Sequence, residues 1–155
     1  MTERIVVVGF GPVAARLVDE LLPAVRGGHA NLTVIGEEAE AAYNRVLVAD
    51  LGVGRTTTSS LALSDAVALI ADGVDVRLGV RVRRVDRARQ QLILSDGTSP
   101  SYDRLVVATG SRPVIPNLTG LNPDPAAPVL PVGVTALRDL RDASVLQAAV
   151  AGGKR

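Results

Sequence analysis

Residues 4–8, Arg-Ile-Val-Val-Val, form a short, largely β-branched run that passes directly into Gly9-Phe10-Gly11-Pro12-Val13-Ala14. No other feature constrains the chain so strongly. Such a run suits a strand buried on both faces, as in a parallel sheet. The residues that follow are helical in period. Over residues 15–25, Leu17, Val18, Leu21 and Leu22 continue the side begun by Ala14, while Asp19 and Glu20 face outward. Pro12 fits the first helical turn, where no backbone N–H is needed. Arg26-Gly27-Gly28 ends the helix, and residues 31–35 (Asn-Leu-Thr-Val-Ile) predict a second strand, completing a βαβ unit. At a junction of this kind the first glycine permits a tight turn and the second lets a pyrophosphate approach the backbone. A small third residue, here Ala14, permits close helix–strand packing. The helix N-terminus adds N–H groups and the positive end of its dipole.

Composition narrows the rest. At 155 residues the chain is one domain in length, and 47% hydrophobic residues suffice for a real core. There is no cysteine, which excludes disulfides, thiolate metal sites and cysteine nucleophiles within these residues. One histidine, His29, leaves no multi-histidine metal site. Aromatics are 2% of the chain, too few for a base-stacking nucleic-acid module, and a net charge of +1 gives no steering toward nucleic acid or membrane. No apolar run approaches the roughly 18–20 residues that span a bilayer, and the start shows no signal-peptide pattern. The expectation is a soluble cytoplasmic protein.

Further along, residues 45–51 predict a short helix, and the Gly/Thr/Ser stretch 52–60 predicts the most flexible segment. Ser64 or Asp65 is placed to cap a helix running to Asp72, with Gly73 as its stop. Residues 74–78 predict a third parallel strand, and residues 80–85 and 91–94 a small antiparallel pair beside the turn Ser95-Asp96-Gly97-Thr98. Residues 105–108, Leu-Val-Val-Ala, form another buried run that ends in Thr109-Gly110-Ser111. Prolines 113, 116, 123, 125, 128 and 131 mark a connector. Residues 134–150 predict a final helix with Arg138, Asp139, Arg141 and Asp142 on its wet face. The predicted class is α/β, a Rossmann-like three-layer parallel sheet with a small antiparallel β-meander.

Candidate site residues cluster at the ends of the predicted strands. Gly9, Gly11, Pro12 and Ala14 are candidates to line a pyrophosphate. Glu37 and Glu38 follow the second strand, where a carboxylate accepts hydrogen bonds from ribose hydroxyls. Glu37 is the first choice; Gly36 sets the acid one residue late. Arg45 offers charge-assisted hydrogen bonds to phosphate oxygens. Thr109-Gly110 places a glycine where a ligand would back onto the main chain. Arg77, Arg81, Arg83, Arg84, Arg87 and Arg89 form a cluster interleaved with Asp75, Asp86 and Asp96, read as a solvated face rather than a polyanion site.

Taken in order, these features resemble the pyridine nucleotide–disulfide oxidoreductase-like flavoprotein reductases. The resemblance is carried by the glycine motif, the acidic end of the second strand, residues 79–97, Tyr102 to Pro113 (YDRLVVATGSRP) and residues 115–120 (IPNLTG), and it covers nearly the whole chain. Residues 35–38 (Ile-Gly-Glu-Glu) and 42–47 (Ala-Tyr-Asn-Arg-Val-Leu) look most like the flavin domain of assimilatory NAD(P)H nitrite reductase large subunits. Rubredoxin- and ferredoxin-reductase-like members are close cousins.

The resemblance implies FAD. It gives Gly9, Gly11, Pro12 and Ala14 the pyrophosphate, Glu37 or Glu38 the adenosine ribose, and Arg45 the pyrophosphate again. It gives Val82 a backbone contact to adenine, packs Ala108, Thr109 and Gly110 against the cofactor, and sets Arg112 nearby. It implies residues 1–112 as the FAD-binding domain. Residues 113–155 become a connector and helix leading toward an NAD(P)H-binding domain not contained in this sequence. The implied parent passes electrons from NAD(P)H through FAD to an acceptor, and these 155 residues alone are expected to lack turnover. No catalytic residue and no metal ligand is assigned. Expected partners are the remaining domains of the reductase, or a second copy of the chain through exposed apolar surface. The alternative is a non-catalytic module binding ADP, NAD or FAD.

Overall fold

The computed structural model describes residues 2–121 and 130–153. Pro123, Pro125 and Pro128 of the expected connector, and Lys154-Arg155, lie outside them. The chain divides into two compact units: residues up to Tyr43 with Ala62–Gly110, and Asn44–Leu61 with the residues from Ser111 onward.

The first unit is built on a parallel sheet. Strand β1 (Glu3–Val8) is followed by helix α1 (Pro12–Arg26) and β2 (Ala30–Ile35), with β3 (Asp75–Arg77) and β6 (Arg104–Val107) completing the order β3-β2-β1-β6. The register pairs Val6 with Thr33 on one side and with Leu105 on the other. Between β3 and β6 the chain forms β4 (Val82–Asp86) and β5 (Gln91–Leu94), an antiparallel pair. The β-branched run of β1 is explained by what its alternating side chains meet. Val7 packs in one cluster with Ala14, Val18, Leu32 and Val34; Val6, its neighbour, packs in another with Ile35, Leu92, Leu94 and Tyr102. Successive strand side chains point to opposite faces. The sheet is therefore covered by α1 on one face and by the β4–β5 pair on the other, as expected for the Rossmann-like class. Among the described residues no buried side chain is polar or charged.

Local signals place the remaining elements. Asp65 caps α4 (Ala66–Ala71), accepting the Val67 and Ala68 N–H groups at 2.9 and 3.3 Å. Gly73, at φ +91°, takes the left-handed turn that stops it. Asp103 joins β6 to β1 by accepting the Arg4 backbone N–H at 2.8 Å and a forked guanidinium contact at 3.0 and 2.6 Å. The Arg4 side chain, with the Arg4 N–H behind it, pulls the Asp103 carboxyl down to about 2.

In the second unit a 3₁₀ turn, Arg45–Leu47, leads into α2 (Val48–Gly52), and the Asn44 side chain caps the turn through the Val46 N–H. The stretch expected to be flexible ends in a helical turn, α3 (Thr58–Leu61). The last helix corrects the sequence reading. It is α5 (Leu140–Ala151), not residues 134–150. Leu137 stands at φ +48°, which breaks helical continuity, and Asp139 with Asp142 forms a reciprocal capping box. Burial would raise the Asp142 carboxyl. The N–H groups of Arg138 and Asp139 and the Thr135 hydroxyl outweigh it and hold it below the usual range. The Gln147 amide donates to the Leu51 carbonyl at 2.9 Å, tying α5 to α2. A Cβ on Gly52 would lie 2.7 Å from Leu146.

Candidate functional site

The sheet order locates the site before any side chain does. The chain leaves β1 toward β2 on one side, whereas β6 lies on the other, so the connections diverge at the carboxyl end of β1. Ligands of open α/β sheets bind at such a divergence. Gly9 stands there, held by its N–H to the Ile35 carbonyl at 2.8 Å.

The two glycines of the motif do different work. Gly9 has φ +97°, and a Cβ there would lie 2.3 Å from the Ala108 carbonyl oxygen and 2.8 Å from the Thr109 Cα. Its missing side chain makes room for the backbone beyond β6, so residues 9 and 108–109 are back to back. Among the described residues nothing lies within 4 Å of where a Gly11 Cβ would be. Gly11 is the N-cap of α1, provides no side-chain cap, and is followed by Pro12 with no acidic residue in the first turn. The Val13 and Ala14 N–H groups thus have no intrahelical acceptor. The first turn itself offers no carboxylate to the positive end of the dipole. Ala14 is fully buried against the sheet. Gly110, at φ +69°, likewise faces open space. Open space over a bare backbone, next to uncapped N–H groups, fits a dinucleotide's diphosphate.

The acidic pair follows β2. Gly36 is buried, and a Cβ on it would come within 3.2 Å of Phe10 and 3.4 Å of Leu78. That crowding explains why no carboxylate stands immediately after the strand. The segment is laced to residues 77–80 by Gly36 N–H to the Arg77 carbonyl, Val80 N–H to that of Gly36, and Gly79 N–H to that of Glu38, at 2.8, 2.9 and 2.8 Å. Glu37 is exposed and ion-paired with Arg81; Glu38 is half-buried and accepts the hydroxyl of buried Tyr43 at 2.5 Å. From the sequence, Arg81 is one of a cluster read as a solvated face and Tyr43 stands beside Asn44-Arg45; neither is assigned a role at the acidic pair. Their signals were the adjacency of Arg81 to Val82 and of Tyr43 to the acidic loop.

Val82 opens β4, and the register slips between it and Arg84, so Arg83 is the extra residue of a bulge. The ladder is therefore loosened beside Val82. Arg45 begins the 3₁₀ turn and Arg112 is exposed; both belong to the second unit. Four of the six arginines of the sequence cluster pair with carboxylates: Arg77 with Asp75, Arg81 with Glu37, and Arg84 and Arg89 with Asp86. His29 is exposed. Among the described residues no group of His, Asp or Glu side chains is arranged to hold a metal ion. No helix there is long and apolar enough to cross a membrane.

Comparison with known proteins agrees with this geometry. Residues 3–153 match the model of the family described as pyridine nucleotide-disulphide oxidoreductase. The chain is 29% identical over 147 residues to the nitrite reductase [NAD(P)H] of Bacillus subtilis, covering 95% of this chain and 17% of that protein. It is 33% identical over 153 residues to the ferredoxin–NAD(+) reductase component of the anthranilate 1,2-dioxygenase system of Burkholderia cepacia, covering 97% and 35%. Among solved structures, the covalent putidaredoxin reductase–putidaredoxin complex aligns with a TM-score of 0.69 at 29% identity, over 96% of this chain and 34% of that one. The chain thus spans a sixth to about a third of the length of these relatives.

Proposed function

Because the chain belongs to the pyridine nucleotide-disulphide oxidoreductase family, we propose that it holds the adenosine–diphosphate half of FAD for an NAD(P)H-dependent reductase. FAD is the cofactor of this family, and the bare backbone at Gly11 fits it. Bound FAD supplies a flavin that accepts a hydride and passes electrons onward. This chain's residues bind and orient. The Val13 and Ala14 N–H groups face the diphosphate across Gly11. Glu37 accepts from the ribose, with Glu38 held back by Tyr43. The Val82 backbone meets adenine, and Ala108-Thr109-Gly110 backs the cofactor.

In this reading residues 1–112 are the FAD-binding domain, and residues 113–155 connect toward an NAD(P)H-binding domain. The relatives are long enough to hold such a domain outside the part that aligns with this chain. Electrons then run from NAD(P)H through FAD to an acceptor, as in a nitrite reductase large subunit or a ferredoxin reductase, in the cytoplasm. By itself the segment has no turnover. Its partners are the remaining domains of the reductase, or a second copy. Val107, 67% exposed on edge strand β6, supports apolar association.

The observation that carries the proposal is the open space over Gly11 at the carboxyl end of β1. The test is the visible spectrum of the purified chain, followed by titration with FAD, ADP and NADH. Flavin absorbance or FAD-selective binding is expected. Selective binding of NADH with no affinity for FAD would overturn it.

A further inference from the structure

We propose that Arg81 is a positioning residue for the cofactor's adenosine end, acting through Glu37; this rests on the reading of Glu37 as the ribose acceptor. The Arg81 Nε donates to Glu37 Oε1 at 2.9 Å, and its Nη2 donates to the same oxygen. Glu37 Oε2 has no hydrogen-bond partner among the described residues. A planar guanidinium that takes one oxygen with two donors holds that oxygen in place and limits the freedom of the side chain. It leaves the second oxygen to accept from a ribose hydroxyl.

Both ends of the pair are anchored by backbone. The Arg81 N–H donates to the Ser95 hydroxyl at 2.9 Å, and the Ser95 N–H donates to the Arg81 carbonyl at 2.8 Å. Glu37 lies between Gly36 and Glu38, which are laced to Arg77, Gly79 and Val80. Both side chains are 56% exposed. An ion pair so open to water contributes little to folding. What it does change is the freedom of Glu37, whose ordering is then settled before the nucleotide arrives. The next residue, Val82, adjoins the bulge at Arg83. One short segment would thus address the ribose through Glu37 and the adenine through its own backbone. Sequence separates the partners by 44 residues.

The test titrates the full chain with ADP and with 2′,3′-dideoxy-ADP, which lacks the ribose hydroxyls, by calorimetry. R81A is expected to weaken ADP binding roughly threefold to tenfold, the effect of freeing one flexible side chain. Dideoxy-ADP binding should stay nearly unchanged, so the preference for ADP shrinks. R81K should recover part of that preference. In an E37Q background R81A should add nothing. R81Q, which keeps most of the aliphatic stem, serves if R81A does not fold. Undiminished preference in R81A or R81Q overturns the proposal, as does an equal loss in the presence and absence of the Glu37 carboxylate. An E37Q variant that binds ADP as well as the unaltered chain overturns the ribose reading itself. So does an unaltered chain that binds no ADP, and the positioning role falls with it.

Discussion

Replacing Gly9 by alanine should unfold part of the stability of the first unit, whereas the same change at Gly11 should not. At Gly9 the new methyl meets the Ala108 carbonyl oxygen at 2.3 Å and its carbon at 2.6 Å, and both are backbone atoms that cannot swing aside. The residue also sits at φ +97°, where an L side chain is strained by about 1–2 kcal/mol. Forcing β6 away from β1 adds about 1–3 kcal/mol of overpacking. The sum, about 2–5 kcal/mol, corresponds to a fall in Tm of roughly 5–20 °C for a chain of this length. At Gly11 the φ is −95° and nothing lies within 4 Å of the new methyl, so the cost is at most about 1 kcal/mol, from a poorer N-cap. Urea denaturation followed by far-UV circular dichroism measures both, since the chain has no tryptophan to report by fluorescence. The ligand response should invert the order: G11V folds but loses FAD, because its side chain fills the diphosphate's approach. Equal destabilisation by G9A and G11A, or a G9A cost below about 1 kcal/mol, would refute the division of labour between the two glycines.

Three further outcomes follow from the packing and the charges. Leu32, 2% exposed beneath α1, should cost about 2–5 kcal/mol on truncation to alanine, read as a lower urea midpoint at unchanged slope. Asp103 is held at about 2 in the folded chain against about 3.9 when unfolded. Its contribution is therefore complete above about pH 4 and is lost as pH falls toward 2. In acid titrations of stability D103N should flatten the curve over that window, and an unchanged curve would discount the Arg4 contact. Removing the α5 cap with D139A should cost about 1 kcal/mol and speed amide exchange at Asp142, whose N–H donates to Asp139 at 3.0 Å.

Much of the fold is legible in the sequence where the governing interaction is local. The β1–glycine–α1 junction, the Asp65 cap and the Gly73 stop each lie within one or two turns of chain, and each is where the residue types place it. The start of α5 was not legible. Asp139 and Asp142 are spaced like a solvated helix face, and the same spacing serves a capping box. Only the backbone of Leu137 decides between the two. The arginine cluster shows a similar limit. Alternating Arg and Asp predict a solvated surface, and most of the pairs are indeed short-range, such as Arg77 with Asp75 and Arg89 with Asp86. Arg81 differs because its carboxylate is on the far side of β3 in sequence, and no periodicity encodes that distance.

The glycine motif shows how a local rule acquires a long-range cause. In the sequence Gly9 is a residue that permits a turn. In the fold it is forbidden a side chain by Ala108 and Thr109, almost a hundred residues later. Because the obstructing atoms belong to the backbone, no change of side chain at 108 or 109 relieves the clash. Gly11, two residues on, is bare with no described residue within 4 Å to require it. A position that no described neighbour crowds leaves room for the proposed diphosphate. A position emptied by backbone is explained by the fold. The two kinds of glycine therefore separate what builds the sheet from what the sheet presents. The same distinction applies to the carboxylates. Glu38 is drawn back by Tyr43, while Glu37 stands at the surface with one oxygen committed to Arg81. The bare glycine and the half-committed carboxylate lie at the ends of adjacent parallel strands, β1 and β2, the spacing across which a dinucleotide's diphosphate and ribose would have to be held.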